Sequence, residues 1–173
     1  MNLPELLPGL EAAPNLHPMF VHLPLGLWPI ALGFFILAAA RRSERLLEAG
    51  RWLLYIATLA AVVTAATGWL AAEGLGHDSP GHDLIHTHRD WMLAATTISV
   101  LASAFAFILR RSVKPAHRWL QVVATALTLG VAVIGADRGA YLVFGRGVGV
   151  QLQTDTPPTE GGAHTDHEHN HDH

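Results

Sequence analysis

Cysteine is absent from this chain of 173 residues. Its absence excludes disulfide bonds, thiolate metal sites, iron–sulfur clusters and the covalent attachment of haem at a C-x-x-C-H motif. Any metal or cofactor must therefore bind through imidazole, carboxylate or backbone groups.

Charged residues are scarce as well. They make up 14% of the chain, whereas an ordinary soluble domain has about 25%. Apolar residues account for 50%, and the mean hydropathy is +0.29 despite a polar C-terminal tail. This composition predicts a membrane protein. The net charge of -3 gives no indication of nucleic-acid binding.

Four apolar segments follow one another, each with roughly the 20 residues that a helix needs to cross a bilayer. They cover residues 19–40, 52–73, 88–110 and 117–137. The sequence therefore predicts an all-α integral membrane protein, with a four-helix transmembrane bundle over residues 19–137 surrounded by the lipid bilayer. Soluble buried helices are the weaker interpretation, because so few charges interrupt the four segments.

Basic residues cluster in two links, one between the first and second spans and one between the third and fourth. Because cytoplasmic loops are enriched in Lys and Arg, both links are predicted to lie in the cytoplasm. Both termini then lie outside a bacterial inner (cytoplasmic) membrane, and residues 1–18 form an outer-face leader. The basic residues of the links are Arg41, Arg42, Arg45, Arg51, Arg110, Arg111, Lys114 and Arg118.

Two segments after the last span are predicted to be non-helical. Residues 138–153 alternate apolar residues with glycines, which favours a short strand or hairpin that caps the outer face. Residues 154–173 are rich in Pro, Gly and Thr and then read HTDHEHNHDH. Such low complexity is typical of a disordered tail.

Histidine is the residue type that stands out, with twelve in the chain. In the predicted topology all of them except His117 lie at the outer face. Pro24 and Pro29 each remove a backbone hydrogen bond and can kink the first span. His22 is therefore expected to tilt into the bundle as a buried ligand. The alternative is an interfacial histidine that bonds to a carbonyl.

A b-type haem is the first cofactor to consider, since it binds without cysteine through imidazoles on facing helices. The candidate axial ligands are His22 with His88 or His86. Stripes of small residues on the second and fourth spans could leave room for a flat cofactor, although helix packing is their simpler interpretation. The candidate partners for the haem propionates, which could instead pair with nearby carboxylates, are Arg89, Arg138 and Arg146.

A transition metal without haem is the second possibility. Histidine and carboxylate side chains at the outer face could hold copper or zinc, and the tail could collect metal loosely. A polar surface loop is the simpler interpretation of the same cluster. The candidate ligands are His17, His22, His82, His86, His88, Asp83, Asp90, His164, His167, His169, His171 and His173.

Four features together carry a resemblance: the segment HPMFVHLPLGL, the pair Thr67 and Gly68, His88 at the third span, and the segment GAYLVFGRGVGV. Over roughly residues 16–150 the chain resembles the bacterial membrane family known as domain of unknown function 2231. The resemblance implies four transmembrane helices, and relatives joined to c-type cytochrome domains suggest redox chemistry. It extends to His17, His22 and His88, but not to the histidine-rich tail.

The leading hypothesis is a membrane electron-transfer protein that carries b-type haem and serves the quinone pool or a periplasmic redox partner. The alternatives are a copper- or zinc-binding protein of metal homeostasis and an accessory subunit, or homo-oligomer, in a larger membrane complex. The sequence contains no evident phosphate-binding loop, activated nucleophile or pair of catalytic carboxylates. A non-catalytic role is therefore favoured over an enzyme.

Overall fold

The computed structural model describes residues 15–73, 81–112 and 114–148, together with Leu6. Most of the predicted outer-face leader, the end of the predicted cap and the whole predicted tail lie outside the described residues. So do five candidate metal ligands, namely His164, His167, His169, His171 and His173.

The regular structure of the described residues is helical throughout. A four-residue helix, α1 (His17–Phe20), leads directly into α2 (His22–Arg41). The remaining helices are α3 (Glu44–Glu73), α4 (His82–Ile108) and α5 (Pro115–Arg146). The α1–α2 segment and each of α3, α4 and α5 are long and apolar enough to cross a membrane. The prediction of an all-α membrane protein with four spanning segments is confirmed.

The long helices pack as a ring in which α2 contacts α3 and α5, and α4 contacts the same two helices. Successive helices run in opposite directions, so the bundle has two ends. The histidine end is the one where α1 and α4 begin and where α3 and α5 end. The arginine end is the one where α2 and α4 end and where α3 and α5 begin.

Small residues fill most of the bundle interior. The fully buried alanines are Ala31, Ala38, Ala57, Ala95, Ala106 and Ala132. The large side chains of Trp28 and Phe35 are also fully buried, and the Phe35 ring lies where Gly50 has no side chain. A Cβ added to Gly50 would come within 2.9 Å of two ring carbons. Small residues let helices approach closely in lipid, where packing and interhelical hydrogen bonds hold them together.

Two buried arginines join neighbouring helices at the arginine end. Arg51 of α3 donates from Nη1 to the carbonyl oxygen of Arg110 at 2.8 Å and from Nη2 to that of Leu109 at 3.3 Å. Arg118 of α5 donates from Nη1 to the carbonyl oxygen of Ala38 at 3.1 Å. Carbonyls that end a helix have no partner in their own helix. Arg51 therefore satisfies the end of α4, and Arg118 adds a bond at the end of α2.

Pro24 shapes the entry of the first span. Proline has no N–H, so the carbonyl oxygen of Phe20, four residues earlier, loses its helical donor. The Thr64 hydroxyl on α3 replaces that donor at 3.1 Å, while it also lies 2.8 Å from the carbonyl oxygen of Ala60. A side chain of the neighbouring helix thus satisfies the carbonyl that proline leaves free, as the apolar interior of a membrane requires.

The second half of the bundle repeats the burial pattern of the first. Trp28 of α2 donates its Nε1–H to the Ser99 hydroxyl of α4 at 3.0 Å, and the two residues are 71 positions apart. The same offset carries most of the other buried residues of α2 and α3 onto buried residues of α4 and α5, with Ala38, Arg51 and Thr58 as the exceptions. These pairs are Pro24 and Ala95, Ala31 and Ala102, Phe35 and Ala106, Leu47 and Arg118, Gly50 and Gln121, Leu54 and Thr125, Ala57 and Thr128, Ala61 and Ala132, and Thr64 and Gly135.

This correspondence divides the bundle into two equivalent units. The first hairpin comprises α1, α2 and α3, and the second hairpin comprises α4 and α5. Trp28 and Ser99 are equivalent residues in direct contact. They therefore lie on either side of a pseudo-twofold axis that runs along the bundle.

The prediction of a strand or hairpin that starts at residue 138 is wrong for the described part of that segment. Residues 138–146 continue α5 to its end. The glycines there are compatible with the helix, because Gly139 leaves room for the His88 ring of α4 and Gly145 for the Tyr141 ring of α5 itself. Gly147 follows the helix in the left-handed conformation, with φ of 65°, and closes it in the usual way.

Candidate functional site

His17 lies at the histidine end, half-buried against α3. Its Nδ1 donates to the carbonyl oxygen of Thr64 at 3.1 Å, and the Thr67 hydroxyl oxygen lies 3.5 Å from the same nitrogen. Gly68 provides the space for the ring, since a Cβ there would lie 2.8 Å from the His17 Cε1 atom. The carbonyl, the hydroxyl and the glycine together fix the position of the imidazole.

His88 has the same environment in the second hairpin. Its Nδ1 donates to the carbonyl oxygen of Gly135 at 2.7 Å. Gly139 provides the space for this ring, since a Cβ there would lie 2.8 Å from Cε1 and 3.0 Å from Nδ1. Each histidine thus bonds to a carbonyl one helical turn before the glycine that its ring contacts.

The two histidines, called here the imidazole pair, are related by the internal repeat. In each hairpin 47 residues separate the histidine from the residue whose carbonyl it bonds. The two rings belong to α1 and α4, and both lie at the histidine end of the bundle. The pseudo-twofold axis therefore passes between them.

The hydrogen bonds define which ring nitrogen remains available. A carbonyl oxygen can only accept, so the hydrogen of each neutral ring lies on Nδ1. The lone pair is then on Nε2, and the described residues provide neither Nε2 with a hydrogen-bond partner. Histidines that bind metals typically have this arrangement, in which the second nitrogen donates to a carbonyl or carboxylate.

His22, the residue most expected to be a buried ligand, is exposed in the structure. The prediction that His22 is buried is wrong, because the side of the α1–α2 segment that packs against α3 carries His17 rather than His22. Of the two prolines in the first span, Pro24 is buried and Pro29 is exposed. His22 is therefore not part of the imidazole pair.

The other predicted ligands of the loop after α3 fall into two separate groups. His82 and His86 lie one turn apart on α4, and their Nε2 atoms are 2.9 Å from each other. Asp83 is exposed, and Asp90 accepts two bonds from Arg89, at 3.0 and 3.1 Å. Within residues 15–73, 81–112 and 114–148, no three His, Asp or Glu side chains are grouped so that they could hold a metal ion.

The three arginines predicted to meet an anion lie at the histidine end. Arg89 follows His88 in sequence and stacks over Trp69 at 5.2 Å from the ring centroid. Arg146 stacks over Tyr141 at 5.9 Å. Arg138 precedes Gly139 and lines an open cleft of about 410 Å³ between α4 and α5. The residues of this cleft are Leu84, Asp137, Arg138, Ala140, Tyr141 and Phe144.

Sequence reasoning included Gly68 and Gly139 in the family resemblance but did not connect them, or Thr64 and Gly135, with the imidazole pair. A comparison of the two halves of the sequence could have found them. His17 and His88 have the same 71-residue offset as Trp28 and Ser99, and so do Gly68 and Gly139. A glycine that recurs at the same distance from a recurring histidine indicates that the ring needs its space.

The profile of a protein family described as "Predicted membrane protein (DUF2231)" matches residues 13–152. The match covers all the helices of the bundle and both members of the imidazole pair. Neither a curated protein nor a solved structure matches the chain.

Proposed function

We propose that this chain, which belongs to the DUF2231 family of predicted membrane proteins, transfers electrons through a b-type haem held by His17 and His88. One observation carries the proposal. The two imidazoles are equivalent by the internal repeat, and each is fixed through Nδ1 with its Nε2 lone pair available. Paired imidazoles on facing helices are the axial ligands of b-type haems in helical bundles.

The surroundings of the imidazole pair suit a flat apolar cofactor. Gly68 and Gly139 give their space to the two rings, and small residues, including Ala61 and Ala132, lie buried further along the same helices. Charged partners for haem propionates are also near. Arg89 is adjacent to His88 in sequence, and Arg138 is adjacent to Gly139.

The proposed function fixes what each group does. The haem, when bound, supplies a one-electron ferric–ferrous couple. His17 and His88 would hold it, and the carbonyls of Thr64 and Gly135 keep both rings oriented. A hydrogen bond to Nδ1 also raises the basicity of the ligating nitrogen, which favours the ferric state.

The proposal includes an orientation in the membrane. Eight of the eleven basic residues lie at or near the arginine end, so we assign that end to the cytoplasm of a bacterium, with the histidine end outside its inner membrane. Electrons would then pass between the quinone pool and a periplasmic partner. The cleft beside Arg138 and Tyr141 offers apolar walls and polar groups near His88, which suits a quinone headgroup.

An absorption spectrum tests the haem assignment. The full chain, produced in cells with ample haem and purified in mild detergent, should show a Soret band and, after dithionite reduction, sharp α and β bands. About one haem per chain is expected, as for a single bis-histidine site. A parallel sample without residues 154–173 should give the same spectrum. A colourless chain that also fails to bind added haem contradicts the proposal.

A copper or zinc site at His82 and His86 is a second candidate. Their Nε2 atoms meet within 2.9 Å, so one ion could bind both imidazoles and complete its coordination with water. In a chain without residues 154–173, His86→Ala should weaken Cu²⁺ or Zn²⁺ binding by at least about tenfold in calorimetry. The exposed His22→Ala variant is the control and should bind as the parent does. Equal metal affinity in all three chains rejects this site.

A further inference from the structure

The two hairpins are equivalent in backbone but not in the chemistry of their interiors. Positions that hold large apolar side chains in the first hairpin hold polar or small ones in the second. Trp28 corresponds to Ser99, Phe35 to Ala106, Leu47 to Arg118, and Leu54 to Thr125. Gly50, over which the Phe35 ring lies, corresponds to Gln121. More of the buried polar side chains therefore belong to the second hairpin than to the first.

Two of these polar side chains have unsatisfied atoms. Gln121 is 2% exposed and Thr125 is 0% exposed. The Gln121 Oε1 and Thr125 Oγ1 atoms have no hydrogen-bond partner among the described residues. A polar group left unpaired in the lipid-spanning part of a protein costs several kcal/mol, so a partner of another kind is required.

Water can supply that partner. Gln121 and Thr125 are one turn apart on α5, a rise of about 6 Å, which one bridging water molecule can span. Buried water typically makes about three hydrogen bonds to groups that would otherwise be unsatisfied. Arg118 lies one turn from Gln121 in the other direction and extends this polar line to the arginine end.

A network of hydroxyls lies on the adjoining helices. The Thr58 hydroxyl of α3 is 2.6 Å from the Ser99 hydroxyl and 2.8 Å from the Ser103 hydroxyl of α4. Beyond it, towards the imidazole pair, the buried hydroxyls are already bonded to carbonyls of their own helices, as those of Thr64, Thr96 and Thr128 are. The small apolar side chains at this level form an alanine layer. This alanine layer consists of Ala61, Ala95 and Ala132, which are at most 3% exposed.

We propose that water fills the polar interior from the arginine end past Gln121 and Thr125 to the hydroxyl network, and that the alanine layer stops it there. The bundle then contains a hydrated half-channel, which can carry protons to mid-membrane but not to the imidazole pair. This proposal does not depend on the haem.

Cysteine labelling tests the half-channel, because the chain contains no native cysteine. Thr125→Cys and Ala132→Cys each introduce one thiol into α5, at positions that are both 0% exposed. The reagent is a small, water-soluble, positively charged methanethiosulfonate, added on both sides of vesicles that contain the full chain. Thiolates form and react only where water reaches them, so Thr125→Cys should react at least about tenfold faster than Ala132→Cys.

Further variants keep the test decisive. Ser103→Cys on α4 should also react quickly, and it carries the test if Thr125→Cys fails to fold by circular dichroism. Adding Gln121→Leu to Thr125→Cys removes the polar group that binds the water. Its labelling rate should then fall to that of Ala132→Cys. The proposal is overturned if Thr125→Cys and Ser103→Cys are labelled no faster than Ala132→Cys. It is also overturned if adding Gln121→Leu leaves the labelling rate of Thr125→Cys unchanged.

Discussion

Replacing His88 with alanine should remove the proposed haem from the purified protein, and replacing His17 should do the same. Each imidazole is fixed by a hydrogen bond to a backbone carbonyl, at 2.7 Å for His88 and 3.1 Å for His17. In the described part of the chain His22, the other histidine of the first span, is exposed and cannot substitute for either. Loss of an axial ligand should lower the haem content by at least about tenfold, as the loss of a metal-site residue commonly does.

The reduced-minus-oxidised spectrum measures this loss directly. His22→Ala is the matched control, because it removes an imidazole from the same span without touching the proposed site, and its spectrum should equal that of the parent. A Soret band that persists in the double variant His17→Ala and His88→Ala would exclude this pair as the ligands. Loss of colour in His22→Ala would restore the ligand assignment that the sequence favoured.

Adding one methyl group at Gly139 should disturb the site almost as strongly. The new Cβ would lie 2.8 Å from Cε1 and 3.0 Å from Nδ1 of His88, which is too close for the ring to stay in place. Displacing the ring breaks its bond to Gly135. Forcing a side chain into a packed interior costs about 1–3 kcal/mol. Gly139→Ala should therefore lower both the thermal unfolding midpoint in detergent and the haem content.

Gly68→Ala should have the same effect through His17, because the distances there are also 2.8 and 3.0 Å. Gly130→Ala is the control in the same helix as Gly139, since a Cβ at Gly130 has nothing within 4 Å. That change should be neutral or should stabilise α5 by up to about 1 kcal/mol. If all three alanine variants behave alike, helix propensity rather than space for the imidazoles explains the glycines.

The sequence was sufficient to predict the four membrane spans because length and lack of charge decide them. The predicted spans 52–73 and 117–137 lie inside helices Glu44–Glu73 and Pro115–Arg146. The helices are longer than the predicted spans because the helical backbone continues through polar residues beyond the apolar part. Hydropathy detects only the apolar part. The strand predicted from residue 138 failed for a related reason. Glycines spaced along a helix to admit side chains resemble those of a turn-rich segment.

The site was only partly predictable, since it depends on contacts between distant residues. His17 and His88 were among the candidates, but nothing local distinguished His17 from His22. The choice depends on which ring reaches the carbonyl of Thr64, 47 positions away. The sequence also could not predict that Gln121 Oε1 and Thr125 Oγ1 have no hydrogen-bond partner among the described residues. A stripe of small and polar residues on one helix does not reveal whether the facing helix offers partners.

The offset between the two hairpins also has an evolutionary meaning. One hairpin paired with an identical copy would form a symmetric dimer with an isologous interface, and each copy would contribute one imidazole to a shared centre. Joining the copies into a single polypeptide keeps that geometry, as in transporters built from parallel repeats. In a symmetric dimer one sequence must serve both sides of the interface, whereas after fusion the two halves can carry different residues. Equivalent positions can then hold different residues, as Trp28 and Ser99 do. The two hairpin surfaces that were once identical can diverge within one polypeptide.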